Sequence, residues 1–154
     1  MLTLTITFYD VVLTVHILAV VVAFGVIFAF PVIDAQAKSS GDLAALHRLH
    51  ATLGRQVITP AMTVVLLAGL YLTFDRWDFG EPWISATLAI LFVLFALGGA
   101  VLAPTDARLA EMAERGDTTS ADYEREARKA RLFGAVVIVL VILAIFLMVA
   151  KPGL

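Results

Sequence analysis

Three histidines are the side chains of this sequence with the widest chemical scope: His16, His47 and His50. Imidazole is a common ligand for metal ions and haem iron, and it exchanges a proton near neutral pH. His47 and His50 are spaced (i, i+3), which places both rings on one face of a helix, where they could share a metal ion. His16 stands alone in a long apolar stretch. An ionisable side chain there is costly in a membrane, which favours a functional role.

His16 lies five residues inside the first of four apolar stretches, about 7–8 Å below its boundary at the helical rise per residue. The other stretches place further polar or sulfur-containing side chains at similar depth: Tyr71, Thr73, Ser85, Thr87 and Met148. We take Tyr71, Thr87 and Met148 as candidate cofactor-binding neighbours of the histidine. Three interpretations of His16 stay open, namely a haem or metal ligand, a packing residue whose neutral ring is hydrogen-bonded, and a proton-linked group.

The elements that must position these side chains are four membrane-spanning helices. Each apolar stretch is long enough to cross a bilayer, and none alternates as a β-barrel strand would. They cover residues 11–33, 57–74, 83–103 and 132–150 of the 154-residue chain. The composition agrees, because 61% of the residues are hydrophobic and only 16% are charged. These values exclude a water-soluble enzyme, a nucleic-acid-binding protein and a disordered chain, and the lack of cysteine excludes disulfides and thiolate metal sites.

The basic residues predict how the chain lies in the membrane. Nine of the 11 Lys and Arg residues fall in the two long loops, residues 34–56 and 104–131, and only Arg76 and Lys151 lie on the opposite side. The positive-inside rule therefore predicts both termini outside and both long loops in the cytoplasm. The predicted fold is an all-α, membrane-spanning four-helix bundle with a cytoplasmic helical hairpin, forming a single domain over residues 1–154.

The loops carry helical signals of their own. Residues 42–53 form an amphipathic pattern that predicts a short helix leading into the second span, where Pro60 is expected to kink the helix or mark a fresh start. Pro104 is expected to mark the exit from the third span, before the hairpin. Small residues such as Ala19, Ala23 and Gly99 are expected to allow close packing between spans.

Several short motifs resemble an uncharacterised family of predicted bacterial four-helix membrane proteins. They are His16 followed by Ile-Leu-Ala, residues 54–60 (GRQVITP), residues 69–72 (GLYL), Pro104, and residues 146–153 (FLMVAKPG). That family is distantly similar to the copper-resistance D-type membrane domain and to HemJ-type protoporphyrinogen oxidases. The resemblance implies a functional histidine at the start of a helix, some members using haem, and it carries over only to His16. The chain departs from this pattern because no later span contains a basic residue to hold porphyrin propionates.

The sequence therefore predicts a multi-pass protein of the bacterial plasma membrane whose contacts are the lipid bilayer and, through its small-residue faces, a second copy in a homo-oligomer. Its first candidate function is to bind haem or another hydrophobic cofactor through His16. A HemJ-like membrane oxidoreductase and a structural or assembly subunit of a membrane complex are the alternatives.

Overall fold

The computed structural model describes residues 6–152, all of whose regular structure is helical. There are six α-helices and two π-helical turns. In chain order the α-helices are α1 (Phe8–Ser40), α2 (Leu43–Leu53), α3 (Thr59–Arg76), α4 (Pro82–Ala96), α5 (Ala103–Glu114) and α6 (Ala121–Ala150). The π-helical turns are Gly54–Ile58, between α2 and α3, and Leu97–Leu102, between α4 and α5.

The π-helical turns join their flanking helices into continuous rods. Each turn ends immediately before an α-helix with proline in its first two residues, Pro60 in α3 and Pro104 in α5. Proline has no N–H to donate, and its ring clashes with the carbonyl four residues earlier, so a widened turn relieves both problems. Pro104 therefore does not end the helix, which continues to Glu114, and the exit of the third span from the membrane at Pro104 stays a prediction. Pro60 likewise marks a π-helical turn within a continuous rod.

Four helices are long and apolar enough to cross a membrane: Phe8–Ser39, Leu43–Arg76, Pro82–Glu114 and Ala121–Ala150. Each contains one of the predicted apolar stretches. Large apolar side chains stay exposed on their outer faces, including Val21 (62%), Leu67 (61%) and Val139 (63%). Apolar side chains on the outer surface suit contact with lipid tails, which are equally apolar. The helices are then held together by close packing inside the bundle. The all-helical membrane fold predicted from the sequence is confirmed.

The bundle is built from two helix pairs. α1 packs mainly against α3, and α4 packs mainly against α6, whereas α3 and α4 contact each other little although a short turn joins them. The central core lies where the pairs meet and is formed by Ala19, Ala23, Phe24, Ile27, Met62, Val65, Leu91, Leu94, Val137 and Val141. We call the end of the bundle that holds Thr7, the Trp77–Glu81 turn and Lys151 the terminal end, and the opposite end the hairpin end.

At the hairpin end, α2 and α5 pack together and α5 packs against the start of α6. The turn before α2 depends on Gly41, whose φ of 81° lies in the left-handed region that favours glycine. Asp42 then caps α2 by accepting from the Ala45 backbone N–H, and Ser120 caps α6 by accepting from Tyr123. The amphipathic helix and the helical hairpin expected from the sequence are thus both present.

The small residues divide into two groups. Ala19 and Ala23 are buried in the core, as expected. Gly99 is exposed, and a β-carbon built on it would meet nothing within 4 Å, so the expectation that it packs inside the bundle is wrong. The spacing of small residues identified one face of this helix but carried no information about the direction in which that face points.

Candidate functional site

His16 lies on the third turn of α1 and is buried, with 5% of its surface exposed. Its Nδ1 is 3.1 Å from the backbone carbonyl oxygen of Val65 on α3. Because a carbonyl oxygen can only accept, Nδ1 carries the proton and donates it to this bond. Nε2 then holds a free lone pair, and it has no hydrogen-bond partner among residues 6–152. The second nitrogen of a metal-binding imidazole is typically anchored by such a bond to a carbonyl.

Gly69 provides the space that the imidazole occupies. It follows Val65 by one helical turn, so α3 presents the accepting carbonyl and the gap on the same face. A β-carbon at Gly69 would lie 3.2 Å from Cε1 and 3.6 Å from Nδ1 of His16. The ring therefore sits against bare backbone at this point of α3.

We expect Gly69→Ala to displace the His16 ring. The added methyl group is closer than an ordinary contact, and the ring cannot retreat without stretching its bond to Val65. Any ligand held by Nε2 should bind roughly 10-fold more weakly, as for other changes that disturb the support of a metal-binding histidine. The measurement is ligand affinity in detergent. Gly99→Ala is the matched control, because its new methyl group meets open space, and an equal loss in both variants would contradict this account.

A cavity of about 470 Å³ lies between the two helix pairs, towards the terminal end, and His16 forms part of its wall. The cavity is lined almost entirely by apolar side chains from α1, α3, α4 and α6. Its volume falls within the range of small-molecule sites in proteins. The weak contact between α3 and α4 leaves this space open.

Of the predicted neighbours of His16, Thr87 and Met148 line the cavity and Tyr71 does not. Tyr71 packs edge-on against Phe8 at 5.3 Å between ring centroids. It follows Gly69 by two residues, or roughly 200° around the helix, so it cannot share the face that meets His16. Depth along the span was therefore an insufficient criterion for Tyr71.

Thr73 and Thr87 bring hydroxyl groups to the cavity wall, but their protons are already engaged. Thr73 donates to the Gly69 carbonyl at 2.9 Å, and Thr87 donates to the Trp83 carbonyl at 2.7 Å. Each hydroxyl oxygen can still accept a hydrogen bond. The threonines can therefore receive a donor from a ligand, but they do not occupy Nε2 of His16.

His47 and His50 belong to a second polar cluster, at the hairpin end. His47 is buried (7% exposed), and its Nε2 lies 3.0 Å from the Tyr123 hydroxyl on α6. His50 Nε2 lies 3.0 Å from an Asp34 oxygen on α1, and its Nδ1 lies 3.9 Å from Asp106 on α5. The two histidines thus connect α2 to the three helices around it.

The metal site predicted at these two histidines gains no additional ligands from the described chain. Residues 6–152 contain no group of three or more His, Cys, Asp or Glu side chains placed to hold a metal ion. The rings of His47 and His50 are 6.4 Å apart at their centroids and nearly perpendicular. Their nitrogens instead face Tyr123, Asp34 and Asp106, so a shared metal ion at His47 and His50 stays a prediction.

The family described as "Predicted integral membrane protein (DUF2269)" matches residues 10–152. The chain belongs to this family. DUF2269 membership agrees with the four apolar helices, and the matched segment contains His16, all the residues that line the cavity except Tyr9, and the hairpin-end cluster. No curated protein and no solved structure shows significant similarity to the chain.

Lys151 and the Val65 carbonyl are among the contributors to the cavity of this DUF2269 protein that sequence reasoning missed. Lys151 is one of the lining residues, although no later span contains a basic side chain. It follows α6, and only the folded bundle brings it to the wall that includes His16. Val65 was not identifiable either, because its contribution is a backbone carbonyl that any residue type could supply.

Proposed function

We propose that this chain is a membrane protein that binds a hydrophobic haem-type cofactor in the cavity, with His16 as the ligand to its iron. The observation that carries the proposal is the buried Nε2 of His16, which has no hydrogen-bond partner among the described residues. The opposite ring nitrogen is anchored on Val65 and the ring rests against Gly69, so the side chain is fixed in the tautomer that a metal ligand needs.

The residues of the cavity fit such a group. The wall is apolar, as the face of a porphyrin requires, and Met148 offers a thioether, a group that serves with histidine as an axial haem ligand in some proteins. When bound, a haem group supplies one-electron chemistry, whose potential depends on its axial ligands and on the polarity of its surroundings. The role of the chain's own residues is to bind, to orient and to exclude water.

A purely structural role for His16 is the competing explanation, and the burial of Nε2 argues against it. The bond from Nδ1 to Val65 ties α1 to α3, which is useful for packing. A threonine could donate a comparable bond through its single hydroxyl without leaving a second polar group buried and unpaired. An unsatisfied buried polar atom costs about 1–3 kcal/mol, so a bound ligand accounts better for a histidine here.

Binding can be tested with the chain's own tryptophans. Both tryptophans of the sequence, Trp77 and Trp83, line the cavity. Titration of the detergent-solubilised protein with haemin should quench their fluorescence and saturate at one haemin per chain. Quenching that stays linear, or that is unchanged in His16→Ala, would show only partition of haemin into the detergent and would contradict the proposal.

We also propose that the terminal end faces the outside of a bacterial plasma membrane and the hairpin end faces the cytoplasm. The support is the distribution of basic residues. Since the chain has no cysteine, single cysteines can report the orientation. Asp78→Cys, in the turn of the terminal end, should react with a membrane-impermeant maleimide on intact spheroplasts. Thr118→Cys, in the hairpin turn, should react only after permeabilisation, and the reverse pattern would contradict this orientation.

A further inference from the structure

A positively charged side chain lies at the terminal end of the cavity. Lys151 follows the last turn of α6, and its backbone N–H donates to the Leu147 carbonyl. Its Nζ lies 4.4 Å from the ring centroid of Trp77 and 5.5 Å from that of Trp83. No ion pair among residues 6–152 includes Lys151. The ammonium is therefore held by aromatic faces and has no counter-charge in the described chain.

The backbone at this lysine is unusual. Lys151 has φ 42° and ψ 56°, and it is the one residue other than glycine with positive φ among the described residues. Glycine adopts this left-handed conformation at lower cost than any residue with a β-carbon. A lysine in this position supplies a long cationic side chain where glycine would close the helix more easily.

The same end of the cavity contains a second donor without an acceptor. Trp83 is 6% exposed, and its indole Nε1 is buried without a hydrogen-bond partner in the part of the chain that the structure describes. Its ring packs edge-on against Trp77 at 5.2 Å between centroids. An indole N–H can only donate, and so can an ammonium group. The buried indole N–H therefore lacks an acceptor, the partly exposed ammonium lacks a counter-charge in the described chain, and an anionic oxygen would serve both.

The polar groups of the cavity wall thus have a defined order. His16 lies nine residues beyond the Thr7 cap of α1, or about 13 Å along the helix from the terminal end. It offers a lone pair, whereas Lys151 and Trp83, at the end itself, offer only donors. The wall between them is mostly apolar, with the hydroxyl groups of Thr73 and Thr87 as its polar atoms, and the protons of both hydroxyls are already donated to backbone carbonyls. This order matches an amphiphile with an apolar body and an anionic group at one end.

We propose that Lys151 and Trp83 form a carboxylate-binding subsite that holds the anionic end of the cavity's ligand. This inference rests on the proposed function, because the propionates of a haem-type cofactor are carboxylates. A fatty acid presents the same group on an apolar chain, and the experiment must distinguish these two sources. A carboxylate has two oxygens, so it can accept from the ammonium and from the indole N–H together.

The test compares haemin with haemin dimethyl ester, and oleate with methyl oleate, on the full chain in an uncharged detergent. Binding is read from absorbance for the haemins and from tryptophan fluorescence for the oleates. Lys151→Gly removes the ammonium and suits the left-handed backbone, so its binding losses do not reflect a strained fold. We expect it to weaken haemin binding roughly 10-fold and to leave the binding of the dimethyl ester unchanged.

Three further variants sharpen the result. Lys151→Arg keeps a cation and should keep most of the affinity for haemin. Trp83→Phe keeps an aromatic ring, removes the N–H together with the five-membered ring that carries it, and should weaken haemin binding roughly 3- to 10-fold. Arg76→Gln is the control, because it removes another cation at the terminal end, one that contacts Tyr9 and pairs with Asp75. Arg76 is not among the residues that line the cavity, so this variant should bind haemin as tightly as the wild type.

The outcomes separate the subsite from the proposed function. Equal losses for haemin and its ester, or no loss for either in Lys151→Gly, would overturn the carboxylate subsite while haem binding stands. Binding of oleate that depends on Lys151, without binding of either haemin, would support the subsite, identify a fatty acid as its source and overturn the haem proposal. Binding of none of the four probes would overturn both.

Discussion

Replacement of His16 by alanine should abolish haem binding while the bundle stays folded. Among the residues that line the cavity, only His16 offers a nitrogen lone pair, because the indoles and the lysine ammonium are hydrogen-bond donors. Loss of a group that only orients a metal-binding histidine weakens metal binding about 10- to 100-fold. Loss of the histidine itself should therefore weaken haemin binding by at least about 100-fold. The measurement is the Soret absorbance of the purified variant after haemin is added and excess is removed.

Two controls separate loss of the ligand from loss of the fold. Free imidazole added to His16→Ala should restore part of the Soret band, because the deleted ring leaves space at Gly69 and Val65. His47→Phe replaces the other buried histidine, at the hairpin end, and should leave the band intact. A band that persists in His16→Ala, or that is lost equally in His47→Phe, would contradict the assignment of His16.

Replacement of His50 by leucine should cause a large loss of stability. The ring lies between two carboxylates and is itself mostly buried, with 12% of the side chain exposed. Without it, Asp34 and Asp106 face each other across an apolar side chain. Breaking a buried pair by removing one partner typically costs about 3–5 kcal/mol. Since the Asp34 side chain keeps 34% of its surface exposed, we expect about 2–3 kcal/mol here, measured as a lower melting temperature in detergent.

An exposed ion pair two residues earlier on α2 provides the matched control. Arg48 pairs with Glu114 at 2.9 Å, and their side chains are 60% and 50% exposed. Solvent screening makes such a pair worth less than about 1 kcal/mol, so Arg48→Ala should hardly change the melting temperature. Adding Asp106→Asn to His50→Leu should recover part of the loss. Equal melting temperatures for His50→Leu and Arg48→Ala would show that the hairpin-end cluster does not stabilise the bundle.

The sequence was sufficient to predict four helices long and apolar enough to cross a membrane, since a membrane helix must be apolar along its length. Thr87 and Met148, which the sequence groups with His16 by depth along the spans, line the same cavity, and their role in binding a cofactor stays a prediction. Depth does not determine direction, and this is why Tyr71 and Gly99 were misplaced. Whether a side chain faces the bundle or the lipid depends on how the helices rotate against each other.

Other features arise only in three dimensions. Pro60 and Pro104 signal helix ends in most contexts, but here the π-helical turns before them carry the helices onward. Asp106 joins Asp34 at His50 although 72 residues separate the two in sequence. Lys151 reaches the cavity because α6 packs beside α4 and ends next to the two tryptophans. Such contacts follow from helix packing, which local sequence patterns do not encode.

The most direct test of the central claim is the absorption spectrum of the wild-type protein, purified from cells supplied with a haem precursor and recorded before and after dithionite reduction. We predict a Soret band that shifts on reduction and is missing from His16→Ala prepared in parallel. A wild-type protein that shows no such band, and that retains no haem after haemin is added and the excess is removed, would contradict the claim. His16 would then serve to hold α1 against the Val65 carbonyl of α3.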